Sequence, residues 1–270
     1  MSRRPLVLVA AVVLLCAGCS AADADGNDKA ESAKASASAS ADQQSAVRKA
    51  VAALRQDSAG FDQEIEIEGD GQVYRLSIAG GFDFAADRGH LEVDLPGGAI
   101  DHSEQVFADG KIYINGVQGS GVDNWAVMAR DKAEAHYLLR APLNDPEHVL
   151  HQIAAMRKIS RQGEEKVEGV PTAHYRGILD HRTTTLRTAP DVRAKIDRTR
   201  DALGGDLPVF ADAWIDGKGR LVRVRMNVNM SGAGVTSTMT LSDVGKPVRV
   251  TVPRPADTTP VTEVSGVLNG

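Results

Sequence analysis

The chain has 270 residues, 42% hydrophobic, 25% charged and only 4% aromatic, with a formal net charge of -5. That balance allows one sizeable domain with its own core and argues against a nucleic-acid partner, which would need a clustered excess of Lys and Arg. Both cysteines, Cys16 and Cys19, lie near the start of the chain, so nothing downstream offers thiol catalysis, a disulfide or a thiolate metal site.

Arg3 and Arg4 precede an apolar run from Leu6 to Leu15, and Ala17-Gly18 stands directly before Cys19. A spanning helix needs about 20 apolar residues, so this shorter run with its small-residue flank reads as a cleaved lipoprotein signal peptide over residues 1–18. Cys19 would then carry a thioether-linked diacylglycerol, anchoring the chain to the cell membrane on its extracytoplasmic face. Cys16 takes the place where such leaders prefer Leu, with Leu15 one position earlier; an ordinary secretory signal cleaved nearby is the alternative. Ser2-Arg3-Arg4 ahead of Leu6 and Val7 resembles a twin-arginine leader, which leaves the export route open.

From Ser20 to Gln44 there is no large apolar residue, and Ser and Ala alternate from Ser36 to Ala41. Residues 19–44 are therefore expected as the lipidated cysteine and a flexible tether with a span of roughly 25–30 Å. Val47, Ala50, Val51 and Leu54 then recur on one helical face, and Ser58-Ala59-Gly60 ends the run. The period next switches to two: Phe61, Ile65 and Ile67, then Tyr74, Leu76 and Ile78, then Leu91, Val93 and Leu95, each alternating with polar residues. These predict half-wet antiparallel strands, reversed at Gly69-Asp70-Gly71, Pro96-Gly97-Gly98 and Asp109-Gly110, with Ile112-Tyr113-Ile114 following.

A helical block is expected from Asp131 to Met156, with Asp131 capping Ala133 to Leu139 and Asp145-Pro146 opening a second helix whose apolar face is Val149, Leu150 and Ile153. Strands resume at Ile159 to Val167 and Ala173 to Leu179. A third helix carries Val192, Ile196, Thr199 and Leu203 and stops at Gly204-Gly205. A long hairpin closes the pattern, Val222 to Met230 and Val235 to Leu241, one face almost wholly apolar. Ten to twelve strand signals against three or four helices predict an α+β fold, one antiparallel sheet covered on one side by helices.

Catalytic apparatus is not evident: there is no Gly-rich phosphate loop, and Ser120 lacks the strand-turn-helix context of a nucleophile. His148 and His151 share a helix face without a third ligand placed by the sequence, so no metal or other cofactor is expected. The remaining histidines, His90, His102, His136, His174 and His181, form no nucleophile-base spacing. The hairpin methionines Met226, Met230 and Met239 stand apart, because unbranched thioethers adapt to an irregular partner. Their face reads either as a cavity wall for flexible acyl chains or as a packed core. If the alternating faces all turn inward, the wall consists of Ile65 and Ile67, Leu76 and Ile78, Val224, Met226 and Val228, and Met239 and Leu241, closed by the helices that begin at Pro146 and Val192.

The order of elements, with Trp125, Pro142-Leu143-Asn144-Asp145-Pro146, Gly169-Val170-Pro171-Thr172, His174-Tyr175-Arg176-Gly177, Ala213-Trp214-Ile215-Asp216 and Gly219-Arg220, resembles the actinobacterial lipoproteins of the LppX and LprG type. The resemblance covers about residues 45–252 and leaves a tail at 253–270. It implies a LolA- or LolB-like half-barrel, a strongly curved antiparallel sheet with helices on the concave side. It further implies a lipoprotein that binds a lipid or glycolipid and carries or presents it in the cell envelope; a monomer without enzymatic activity is expected. The alternative is an envelope sensor or partner-binding lipoprotein using the same fold with a filled core.

Overall fold

The computed structural model describes residues 27–96, 101–116, 124–230, 232–262 and 264, with side chains described from Ser40 onward. Cys16, Cys19, Gly97-Gly98 and Ser120 lie outside the described residues. The chain divides into two compact units, Met1–Ser38 and Ala39–Gly270, and the sheet and its core belong to the second.

The first helix, α1, runs Asn27–Leu54 and starts well before Ser45, so the stretch expected as a tether is helical from Asn27. Alanine is the strongest helix former, and this stretch is rich in it with no Pro or Gly to interrupt it after Asn27. Apolar periodicity marks only the packed part of such a helix. Val47, Ala50, Val51 and Leu54 are that part, each 4% exposed or less.

Twelve strands follow among the described residues: β1 Ser58–Gly69, β2 Gln72–Asp83, β3 Arg88–Asp94, β4 His102–Ala108, β5 Lys111–Ile114, β6 Trp125–Ala129, β7 Arg157–Val167, β8 Val170–Leu179, β9 Val209–Asp216, β10 Leu221–Met230, β11 Ala233–Ser242 and β12 Thr258–Pro260. They form one open, strongly curved sheet in the order β12-β6-β5-β4-β3-β2-β1-β11-β10-β9-β8-β7. Two reversals have the left-handed pair of residues that a tight hairpin requires: Asp70 and Gly71 at φ 52° and 74°, and Asp109 and Gly110 at 52° and 69°. At Gly80 the strands come so close that a side chain would collide with the His90 carbonyl.

All neighbours run antiparallel except β12, which lies parallel to β6. Within the stretch expected as a tail, 253–270, Thr258–Pro260 supplies a sheet edge and Val264 is buried in the core. Three residues without an apolar run gave no sign of this strand.

The helical block is corrected. A short 3-10 turn spans Arg130–Lys132, and Ala133 to Leu139 is not helical. Ala135 instead bridges Thr188, and the Arg187 guanidinium donates to the carbonyls of Arg130 and Ala133, oxygens that a helix would have used internally. Beyond it α2, Pro146–Ala154, forms as its cap predicts, with the Asp145 side chain accepting from the Glu147 amide at 3.0 Å. A single turn, α3 His181–Thr184, precedes α4, Pro190–Leu203, which ends on Gly204 at φ 68°. Of the apolar stripe expected on α4, Ile196 alone is buried, Val192 is half-buried and Leu203 is 56% exposed. So α4 is a thin cover. The main cover is α1 with α2, whose Val149, Leu150 and Ile153 join the sheet's inner face in one apolar cluster.

Candidate functional site

Strand parity and register arrange the inner face as rows across β2, β1, β11 and β10. Ile78, Gln63, Met239 and Val224 form one row, and Leu76, Ile65, Ser237 and Met226 the next. Tyr74, Ile67, Val235 and Val228 form a third at the end of the sheet. Of the residues that the sequence puts forward as a wall, Ile65, Leu76, Ile78, Val224, Met226, Val228, Met239 and Leu241 are buried in one cluster, and Ile67 packs against it half-buried. The wall does not close at its last row. Tyr74 is 60% exposed, and Ile67, Val235 and Met230 are only partly covered.

Two polar side chains sit inside this wall. Gln63 is 3% exposed and Ser237 2%, and the Gln63 carboxamide donates through Nε2 to Ser237 Oγ at 2.9 Å. No group among the described residues donates to Gln63 Oε1. Farther along the same face Gln105 is fully buried, its Oε1 accepting from Asn144 Nδ2 at 3.3 Å.

The edge of the inner layer by α2 has the opposite chemistry. Arg130 lies over the rings of Phe82 and Phe107, 5.3 and 5.2 Å from their centroids. It donates to both Asp145 oxygens, at 2.8 and 2.6 Å, and to Asp87. Burial works against its charge, but the hydrogen bonds and charges of Asp145 and Asp87 outweigh burial and raise the guanidinium above its usual range. His148, 4% exposed on α2, is pushed down to about 4 by burial, with Arg187 and His151 adding to the shift and Asp145 opposing it. Glu147 on α2 pairs at 3.1 Å with Arg55, the residue just after α1. These groups border an open cleft of about 660 Å³ whose lining is charged. His148 and His151 are the helix pair singled out in the sequence; among the described residues no three His, Cys, Asp or Glu side chains group as metal ligands.

On the outer face, the ring of His174 stacks on Trp214 at 4.5 Å, and His174 Nε2 lies 2.7 Å from the fully buried Asp212. Asp216 accepts from the amides of Lys218 and Arg220, both at 2.9 Å, and from the Arg220 side chain. Although burial opposes it, these bonds hold its carboxyl below the ordinary range. The motif residues His174, Trp214, Asp216 and Arg220 therefore knit β8, β9 and the β9-β10 turn, a structural task. Neither Arg130 nor Gln63 was found by sequence reasoning. Gln63 was legible only through its parity with Phe61 and Ile65.

A family model described as LppX_LprAFG lipoprotein matches residues 42–250. A Streptomyces griseus protein described as an uncharacterized 31.2 kDa protein in the rplA-rplJ intergenic region is 26% identical over 237 residues, 77% of this chain and 78% of that protein. Two similar solved structures are LppX from Mycobacterium tuberculosis (13% identity, 77% of this chain and 98% of that one, TM-score 0.49) and LprF from Mycobacterium bovis (15% identity, 80% and 98%, TM-score 0.45). A third, a LolA superfamily protein from Nitrosomonas europaea, is 12% identical over 80% of this chain and 97% of its own, with a TM-score of 0.31.

Proposed function

The chain belongs to the LppX_LprAFG lipoprotein family, and on that premise we propose that it binds the acyl chains of a lipid or glycolipid against the inner wall and carries or presents them in the cell envelope. The observation that carries this reading is the unclosed wall: mainly apolar rows, interrupted only by the bonded pair Gln63 and Ser237, run from Phe61, Met239 and Met226 out to the partly covered Ile67 and Val235 and the exposed Tyr74. An apolar surface that continues from the interior to an open rim gives a hydrocarbon chain a path inward that removes it from water, worth about 0.8 kcal/mol per buried methylene. Met226, Met230 and Met239 supply side chains that repack around a guest. We further propose that Cys19 carries the lipid anchor and that the protein acts as a monomer on the extracytoplasmic face of the membrane.

The test is lipid extraction from the full chain carrying Cys19→Ser, followed by mass spectrometry. Co-purified acyl lipid in stoichiometric amount is expected, and its complete absence, together with failure to bind a fluorescent fatty acid, overturns the reading in favour of a filled core and a partner-binding role. The same substitution should move the protein from the membrane fraction to the soluble one. Wild-type protein found wholly in the soluble fraction with a free amino terminus would refute the anchor.

A further inference from the structure

Gln63 and its partner Ser237 are the two polar side chains in the apolar wall, and Gln63 is the one left with an open atom. Its row neighbours across β2 and β11 are Ile78 and Met239, and the row nearer the rim holds Ile65 and Leu76. The carboxamide is fixed by one bond, Nε2 to Ser237 Oγ at 2.9 Å, and Oε1 is left with no donor although the residue is 3% exposed. Buried carboxamide oxygens in folded proteins are almost always satisfied. An apolar residue would fill this place in the row without leaving such an atom.

We propose that Gln63 is a hydrogen-bonding subsite inside the acyl-binding wall, with Oε1 accepting from a hydroxyl carried on the hydrocarbon chain of the bound lipid. The proposal rests on the acyl-binding reading above and names the ligand class within it. Oε1 only accepts, so its partner must be a donor. No carboxylate belongs to the three inner rows, so a cationic donor would be desolvated there without a counter-charge, and a neutral donor is required. Ser237 Oγ accepts from Nε2 and keeps its own proton to give. A hydroxyl group fits both neighbours, donating to Gln63 and accepting from Ser237, and it suits the carboxamide equally if that group turns over.

Depth separates a chain hydroxyl from a headgroup hydroxyl. Gln63 stands two same-face steps inward of Ile67 at the rim, roughly 13 Å along the strand at about 3.3 Å per residue. A glycerol or sugar hydroxyl held at the rim does not reach it, whereas a hydroxyl part-way along an inserted chain does.

The experiment is competition against a fluorescent fatty acid bound to the Cys19→Ser full chain, with stearic acid, a mid-chain hydroxystearic acid and monostearoylglycerol as competitors. The hydroxystearic acid should compete about fivefold to tenfold better than stearic acid, as one buried neutral hydrogen bond predicts. Gln63→Met, which keeps length and removes the acceptor, should bring that ratio to about one, both acids being measured on the same variant. Should Gln63→Met not fold, Ser237→Ala, which keeps the carboxamide and removes only its anchor, should reduce the ratio at least twofold. A wild-type ratio near one overturns the subsite while leaving acyl binding intact, as does a ratio that survives Gln63→Met because the oxygen serves only the fold. A preference for monostearoylglycerol that Gln63→Met removes would assign the contact to a headgroup and also overturn it. If the fluorescent acid itself does not bind, the acyl-binding reading fails and takes the subsite with it.

Discussion

Arg130 and Gln63 both place strong polar groups against the inner layer of one sheet, and they differ in how many partners they find. The Arg130 guanidinium has two aromatic faces, both oxygens of Asp145 and the Asp87 carboxylate around it. The Gln63 carboxamide has Ser237 on one side and nothing donating on the other. A buried polar group with all its partners specifies how elements join; one with an open atom costs about 1–3 kcal/mol in the fold alone. The first belongs to the architecture. The second is where a ligand is read.

The largest test of that contrast is to break the saturated cluster. Arg130→Met should lower unfolding stability by about 3–5 kcal/mol, because it strands the Asp145 carboxylate, whose side chain is 3% exposed. Urea unfolding measures it. The double variant Arg130→Met with Asp145→Asn should be more stable than Arg130→Met alone, since the stranded charge is gone. A single variant within about 1 kcal/mol of wild type would mean that Arg187, 3.7 Å from Asp145, already suffices, and the contrast would be lost.

The next effect comes from His148 beside that cluster. Its folded value of about 4 lies below the ordinary histidine value of 6.5, so between those values the unfolded chain binds a proton that the folded one does not. Stability is therefore full above pH 6.5 and falls as pH drops toward 4, by about 3 kcal/mol over the window. Burial moves Glu147 upward and His151 downward, so the pH slope of the wild type combines several groups. The difference between wild type and His148→Gln isolates the histidine. Equal slopes in the two proteins would show that His148 is reached by water.

How much of this was legible follows from the range of the interactions involved. Alternation put Ile65, Leu76, Met226 and Met239 on one face because parity is a local property of a strand. Asp145-Pro146 announced α2 because a cap is made within a few residues. The stretch from Ala133 to Leu139 was misread as helix because what holds it extended is Arg187, more than fifty positions away in the chain. The edge strand Thr258–Pro260 owes its place to β6, not to any pattern of its own. The Arg130 cluster joins Asp87 and Asp145 from separate elements, so no spacing could reveal it. Gln63 differed: its parity with Phe61 was on the page, but a polar residue at an inward position looks like an interruption until its burial is known.

Met226 is 1% exposed in the middle row of the wall, beside Ser237. If acyl chains enter beside it, Met226→Trp should be tolerated within about 1 kcal/mol while weakening fatty-acid binding at least tenfold, since the indole takes the guest's volume. A thermal midpoint and a fluorescent fatty-acid titration on the same preparation give both numbers. A loss of about 3 kcal/mol or more would indicate a core already at native density and would count against the cavity.

The smallest expected effect falls on Gln63 itself, and its sign matters more than its size. Gln63→Met removes the open Oε1 from an apolar row, which should stabilise the ligand-free protein, and it takes away the donor to Ser237 Oγ, which should destabilise it. A serine hydroxyl can turn its proton to a nearby backbone carbonyl, whereas a buried carboxamide oxygen has no such freedom, so the balance should lie between zero and about 1 kcal/mol of stabilisation. Saturated sites do not behave this way: removing any member of the Arg130 cluster should cost stability. Urea unfolding of lipid-free Gln63→Met against wild type measures the difference. A loss of more than about 1 kcal/mol would place Gln63 with Arg130, as a group the fold needs, and would remove the distinction on which its assignment to a ligand depends.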